Sequence, residues 1–374
     1  MSIVLVFGAG ASFGDRLRPL GEQPTNDASP PLTTGFFSRD LYEKVGYSRE
    51  QAERDFREAF GYIRGAFAIS DSVPVGEGRW ASLNVEDVFA SIELDRDFHS
   101  PESDAGGRLT VIRNKLVRYL WRVIAHCTQY KYGECFKLVK SFVDGRNDVS
   151  VLTFNWDLLL DQEFMVRMGP EWAIAAGLYQ NFVNIVSGEA GVRTGSPSEA
   201  PMFLKMHGSL NWFQCTNPKC IDAPRMEIRP DTQDCLYRAR GLQLAGPVTC
   251  ARCGTEMDPF LVAPLVRKPV AENRIIRAVW GQARQRLHSA SKVAIIGFSA
   301  APTDFYAQWL FRSTLGTRPR EEVEIFVVNP QNRPDHEQHG EFRNRMRNML
   351  PLGYNSEFLE FTQVGSVLAR VGEV

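Results

Sequence analysis

Ile3-Val4-Leu5-Val6-Phe7-Gly8-Ala9-Gly10-Ala11-Ser12 sets the reading of the whole chain. Five apolar residues with no alternating polar face suit a strand buried on both sides, as in a parallel sheet covered by helices. A glycine turn follows at once. Gly8 permits a tight turn, and the missing Cβ of Gly10 lets a pyrophosphate approach the main chain. Ser12 adds a hydroxyl donor where the free N–H groups of a helix start meet an anion. The segment therefore suggests a nucleotide. A plain strand-to-loop glycine turn fits the same residues.

Two features of an ordinary dinucleotide fingerprint are missing. The position of its third glycine holds Phe13, and Gly14 comes one residue late. The acidic residue expected about twenty positions on, at the end of a second strand, is absent. Asp27 lies instead in Pro24-Thr25-Asn26-Asp27-Ala28-Ser29-Pro30-Pro31, which reads as loop. A recycled redox cofactor fits poorly.

At 374 residues the chain can bury a sizeable core and form two or three domains. Its hydrophobic (44%) and charged (23%) fractions are those of an ordinary globular protein. A net charge of −1 argues against a dedicated nucleic-acid surface. No segment has the apolar length of a membrane span, and the N-terminal run is too short for a signal peptide, so the cytoplasm is expected. In that compartment the seven cysteines read as thiols or metal ligands, not disulfides.

Residues 15–35 read as a long loop, either folded over a ligand or a surface excursion. Residues 38–146 read as a helical insertion. Helical spacing is carried by Ala52, Phe56, Ala59, Phe60, Ile63 and Phe67, then by Val85, Val88, Phe89 and Ile92 behind the N-cap candidate Asn84. It continues at 109–126 and 134–143, and Gly145 stops it. His126, Cys127 and Cys135 read as packing residues. Strands are expected at 149–154, 202–206, 293–297 and 323–328, with helices at 271–288 and 305–315. Alternating strands and helices predict an α/β fold with a Rossmann-like parallel sheet. The expected division is a sheet domain over 1–37, 147–212 and 259–374, the helical insertion at 38–146 and a small module at 213–258. In such sheets ligands sit beyond the carboxyl ends of the strands.

Those ends are polar. Thr153-Phe154-Asn155-Trp156-Asp157 offers an amide and a carboxylate that can hold a carboxamide, a ribose hydroxyl or a water, or simply cap the next helix. Lys205-Met206-His207-Gly208-Ser209 places a histidine as a general base or as a structurally satisfied imidazole. Gly297-Phe298-Ser299 resembles a second phosphate or ribose turn, with Asp304 as a helix cap, and Asn329-Pro330 ends the last strand. Arg343, Arg345 and Arg347 fit a basic patch or a solvated helix face.

Cys215-x4-Cys220 and Cys250-Ala251-Arg252-Cys253-Gly254 form the strongest local pattern. Two close pairs separated by a polar insert fit four thiolates around a structural zinc ion, with reduced free thiols as the alternative. Cys235, inside the insert, is left over.

Taken in order, GAGAS, TFNWD, MHGS, the paired cysteines, GFS and VNP resemble the sirtuin-like family. The resemblance implies a Rossmann-like NAD-binding domain with zinc and helical modules. It implies that Gly8, Ala9, Gly10 and Ser12 face the NAD diphosphate. Asn155 would order the ribose or a water, Asp157 would hold the nicotinamide carboxamide, and His207 would be the base. Gly297, Ser299 and Asn329 would bind the adenosine half. Protein deacylases carry Gly-Ile-Pro-Asp-Phe-Arg after the first turn and Gln in the Asn motif. Here stand Leu32-Thr33-Thr34-Gly35-Phe36-Phe37 and Phe154, closer to divergent bacterial members. Many of those cleave NAD+ in anti-phage defence. The implied activity is NAD+ hydrolysis, with lysine deacylation or non-catalytic nucleotide sensing as alternatives. The implied partners are further copies of the chain or a co-encoded protein, such as a DNA-translocating ATPase or an Argonaute-type protein.

Overall fold

The computed structural model describes residues 2–14, 18–19, 31–39, 41, 48–128, 131–166, 202–217, 219–220, 226–228, 248–263, 273–350, 355 and 357–373. In chain order the strands are β1 (Ile3–Phe7), β2 (Arg18–Pro19), β3 (Lys131–Tyr132), β4 (Val149–Thr153), β5 (Met202–Lys205), β6 (Gly208–Gln214), β7 (Met226–Ile228), β8 (Asp258–Leu261), β9 (Lys292–Ile296) and β10 (Glu324–Val328). The helices are α1 (Ala9–Gly14), α2 (Arg49–Asp55), α3 (Arg57–Ala66), α4 (Arg79–Ser82), α5 (Val85–Asp97), α6 (Asp104–Thr128), α7 (Glu134–Val143), α8 (Leu159–Val166), α9 (Arg274–Ser289), α10 (Phe305–Thr314), α11 (His339–Met349) and α12 (Val364–Gly372).

The expected α/β fold is present. Five strands form one parallel sheet in the order β10-β9-β1-β4-β5. All residues of β1 and β4 are buried, as the unbroken apolar run of β1 requires, and β4 buries Ser150 and Thr153 with its three apolar residues. From β1 the chain moves to β4 and β5 on one side, then returns to β9 and β10 on the other. The order therefore reverses between β1 and β9, and an open α/β sheet opens its ligand crevice at such a point.

Helices α7, α9, α10, α11 and α12 contribute to the hydrophobic core around this sheet. Cys135, Phe136, Val139 and Val143 of α7 lie in it, so the last helix of the 38–146 stretch packs on the sheet. Arg345 sits on α11, whose Phe342, Met346 and Met349 are buried, and its Nε donates to the Ser299 carbonyl at 3.1 Å.

A second core is built by α2–α6. The periodicity over 49–68 predicted one helix, but the backbone breaks at Phe56 into α2 and α3. Asn84 caps α5 by accepting the Glu86 N–H at 2.8 Å. Aromatic rings fill the centre: Phe37 stacks on Tyr119 at 5.6 Å, and Phe60 meets Trp80 edge-on at 5.7 Å. Phe36 and Phe37 are fully buried here, and the Tyr119 hydroxyl donates to the Phe36 carbonyl at 2.5 Å. The end of the 15–35 loop is thus pinned to the helical layer. Most of that loop, including Asp27, and Cys235 lie outside the described residues.

Strands β7, β6 and β8 form a separate antiparallel sheet. Its Phe213, Cys215, Cys250 and Met257 join the helical core, and Arg118 of α6 pairs with Asp258 at 2.6 Å. Among the described residues no helix is long and apolar enough to cross a membrane.

Candidate active site

Two glycine turns meet at the β1/β9 crevice. The Gly8 N–H donates to the Ile296 carbonyl at 3.0 Å, and the Gly10 N–H donates to the Gly297 carbonyl at 2.9 Å. A Cβ on Gly8 would lie 2.5 Å from Phe298 Cα, and one on Gly10 would lie 2.7 Å from the Gly297 oxygen. Gly297 holds φ +66°, and a Cβ there would lie 2.0 Å from the Ala11 nitrogen. The structure gives Gly10 a packing role beside the expected one. Its missing side chain admits the neighbouring turn, and its N–H is already used. Gly297→Ala is expected to lose about 2 kcal/mol or more, from overpacking and a left-handed φ together. Urea denaturation measures it, and an unchanged midpoint would show that the two turns can part freely.

Beyond the turns lies a buried polar chain with a defined direction. The Asn155 amide Nδ2 donates to Ser12 Oγ at 2.9 Å, and Ser12 Oγ donates to Asp157 Oδ2 at 2.7 Å. Asp157 Oδ1 accepts the Leu159 N–H at 3.0 Å, which starts α8. Asn155 thus has its nitrogen engaged, while its buried Oδ1 has no hydrogen-bond partner among the described residues. An unpaired buried acceptor is costly, and an O–H or N–H donor from a ligand would satisfy it. Burial pushes the Asp157 carboxyl above its ordinary range, and Lys205 and the Ser12 hydroxyl pull it back.

On the next strand end His207 is buried and directed by three neighbours. Its Nε2 lies 3.1 Å from Asp304 Oδ2. Phe154 meets its ring at 5.1 Å, and Trp280 of α9 stacks along it at 6.4 Å. Trp280 Nε1 also donates to the Met206 carbonyl at 2.9 Å, so α9 grips the strand end itself. Gly208 takes φ +76°, where a Cβ would lie 2.4 Å from the Phe260 oxygen. Asp304 accepts the Ala307 N–H at 3.0 Å, so the expected cap of α10 is present and also orients the histidine.

The β9 loop carries a further signature of a constrained site. Ala300 holds φ +52°, which costs a non-glycine residue about 1–2 kcal/mol. Thr303 donates its hydroxyl to the buried Glu86 of α5, tying the helical layer to the residue before Asp304. Asn329 uses both ends of its amide on the protein. Nδ2 donates to the Phe298 carbonyl at 3.1 Å, and Oδ1 accepts the Gln331 N–H at 2.9 Å. It fixes the shape of the second turn. Ser299 and Ala9 are at least partly exposed beside these turns.

Sequence reasoning missed the pairing of Asp304 with His207, the Glu86–Thr303 contact, and Lys205 with Asp161. Asp304 was legible only as a cap. The charged Lys205 at the end of an apolar strand was a signal, because a buried lysine needs a built partner.

The four cysteines come together as expected. Cys215 and Cys253 sulfurs lie 3.6 Å apart, Cys220 and Cys250 sulfurs 3.9 Å, and all four within 4.8 Å of one another. Four sulfurs about 2.3 Å from a central ion sit about 3.8 Å apart, so the set fits a closed tetrahedral zinc site. Gly254, at φ +68°, closes the turn with its N–H on the Cys250 carbonyl at 2.8 Å. With four protein ligands such a site is structural.

No family model matches the chain, and no curated protein matches it. Solved structures do. The chain is similar to a Sir2 homolog in complex with NAD, at 12% identity and TM-score 0.44, over 99% of this chain and 87% of that one. A Sir2 enzyme solved for its mechanism and regulation matches at 13% identity and TM-score 0.40, over 99% and 90%. A Sir2 protein bound to a propionylated peptide matches at 11% identity and TM-score 0.40, over 99% and 91%.

Proposed function

We propose that this chain is an NAD+ glycohydrolase that releases nicotinamide and ADP-ribose. The observation that carries the reading is the unpartnered, buried Asn155 Oδ1 at the end of the Asn155–Ser12–Asp157 chain. The amide direction is fixed by Ser12, so what Asn155 offers a ligand is an acceptor. Water and a ribose hydroxyl are the donors that glycoside cleavage brings to such a position. The motif order in the sequence supplies the nucleotide.

The chemistry asks little of the protein beyond placement. Nicotinamide is cationic in NAD+ and departs neutral, leaving an oxocarbenium-like ribose. Water adds at C1′, and its proton passes to His207. The balance is NAD+ plus water giving nicotinamide, ADP-ribose and a proton. Asp304 holds the imidazole in place, and the wall of Phe154 and Trp280 keeps bulk water from it. Asp157 orients Ser12, and its remaining lone pairs are open to the nicotinamide carboxamide. The turns at Gly8–Ser12 and Gly297–Ser299, stitched by Asn329, receive the diphosphate and adenosine. An enzyme that consumes NAD+ must be held silent, so we assign it a gated role in anti-phage defence, controlled by self-assembly or a co-encoded partner.

The test is product identification from NAD+ with and without an acetylated peptide. ADP-ribose formed without peptide is expected. O-acyl-ADP-ribose formed only with peptide would make it a deacylase. Nucleotide binding without turnover would make it a sensor.

A further inference from the structure

We propose that Lys205 is a positioning residue for this site: its ammonium, paired with Asp161, clamps the main-chain carbonyl of Asp157 and fixes the turn from which Asn155 and Asp157 reach Ser12. The last residue of β5, Lys205 is 1% exposed. Its Nζ donates to the Asp157 carbonyl oxygen at 2.5 Å and to Asp161 Oδ2 at 2.9 Å. Asp161, in the first turn of α8, is fully buried. A buried ion pair is a poor source of stability, because desolvating both charges offsets their attraction, and apolar residues of similar volume often serve as well. The contact with the Asp157 carbonyl explains why a cation stands here. A lysine ammonium can donate to two acceptors on different elements at once. It thereby ties β5 and α8 to the loop between β4 and α8. Among the described residues no backbone–backbone bond holds Asp157, so the ammonium is what fixes its carbonyl.

The same placement sets the charge around Asp157. Lys205 faces it from β5, Asp161 from α8 and the Ser12 hydroxyl from α1, with the Leu159 N–H from its own segment. Burial raises the Asp157 carboxyl most; Lys205 and Ser12 lower it, and Asp161 raises it. The two partners of the ion pair thus act on Asp157 in opposite directions. Removing one is not equivalent to removing the other.

The inference rests on the glycohydrolase reading for its kinetic test, which compares kcat/KM against pH for unsubstituted, Lys205→Met and Asp161→Asn protein. Asp157 must be ionised to accept from Ser12 and so joins His207 in setting the acid limb; in Lys205→Met that limb is expected to move up, because the cation facing the carboxylate is gone. On that limb each unit is about a tenfold loss at fixed pH. The acid limb of Asp161→Asn is expected to move down. A packing role would lower both rates without displacing either profile, and that result overturns the proposal. Should a single variant fail to fold, Lys205→Met/Asp161→Leu keeps the volume without buried charge. It is expected to fold and show a smaller upward displacement, since losing Asp161 offsets part of losing Lys205; an unchanged rate and profile in it also overturns the proposal. If the unsubstituted chain releases no nicotinamide, the glycohydrolase reading falls separately. The Asp157 carboxyl titration, followed by 13C NMR in the same variants, then decides. Opposite displacements uphold the clamp, and identical titrations refute it.

Discussion

His207→Ala protein is expected to release nicotinamide from NAD+ about 10²–10⁴-fold more slowly than the unsubstituted chain, the range a general base supplies. The substitution separates chemistry from architecture because the neighbours of the imidazole are held by bonds of their own. Asp304 keeps its helix-capping bond to the Ala307 N–H when the ring is gone. Gly208 and the Trp280 bond to the Met206 carbonyl hold the strand end through the main chain. The fold should survive with a modest cavity cost, and ADP-ribose affinity should hold. Asn155→Ala should be equally damaging for a different reason. It removes the acceptor and also leaves Ser12 Oγ without its donor. Asp304→Asn is the informative intermediate. The ring remains but loses the carboxylate 3.1 Å from Nε2, so turnover should fall less than in His207→Ala. Release of nicotinamide is read by chromatography. An unsubstituted rate from His207→Ala would remove the base from the mechanism.

The parts of this site that were legible in the sequence are those fixed by local rules. An unbroken apolar run followed by glycine is readable because burial on both faces and a tight turn are properties of consecutive residues. Asn84 and Asp304 were readable as caps for the same reason. The paired cysteines were readable because metal geometry restricts spacing. What stayed hidden depends on strand order, which local pattern does not encode. The packing role of Gly10 was not readable, because the Gly297 carbonyl lies against it only once β1 and β9 are neighbours. The bond from Asn329 to the Phe298 carbonyl was hidden for the same reason. Helix α7 matched its helical neighbours in periodicity, yet its buried face meets the sheet, and amphipathicity states that a face is buried without naming the partner. Lys205 and Asp161 are 44 residues apart, and only the β4–β5 pairing brings them together.

Cys250→Ser protein is expected to lose its bound metal and about 3–5 kcal/mol of stability, placing it among the severe single substitutions. At about 2–4 °C per kcal/mol for a domain of 150–250 residues, the melting temperature should fall by about 10 °C. The reason lies in what the thiols join. Cys215 follows β6, Cys220 lies in the turn beyond it, and Cys250 and Cys253 form the knuckle before β8. Beyond the β6/β8 pairing, which shifts register between Gly208 and Phe213, the Thr216–Asp258 and Asn217–Thr255 side-chain bonds join these segments at the surface and the cluster joins them in the core. Three of the four cysteines are buried in the same core as Trp121, Leu210 and Phe213, so releasing the metal disturbs the helical layer as well as the small sheet. Binding free energy here is folding free energy, since the loops do not hold four thiolates together unaided. The purified chain should carry about one zinc per molecule by elemental analysis. Cys253, at the surface, should tolerate serine better than Cys250, because water can replace its sulfur at the metal. Cys127 shares the helical core and Cys135 lies in the sheet core, but neither belongs to the four-sulfur cluster, so their alanine variants should keep full zinc. Chelation should reproduce the Cys250→Ser melting shift in the unsubstituted chain and leave Cys250→Ser unmoved. A metal-free chain with an unchanged melting temperature would reduce the four thiols to packing.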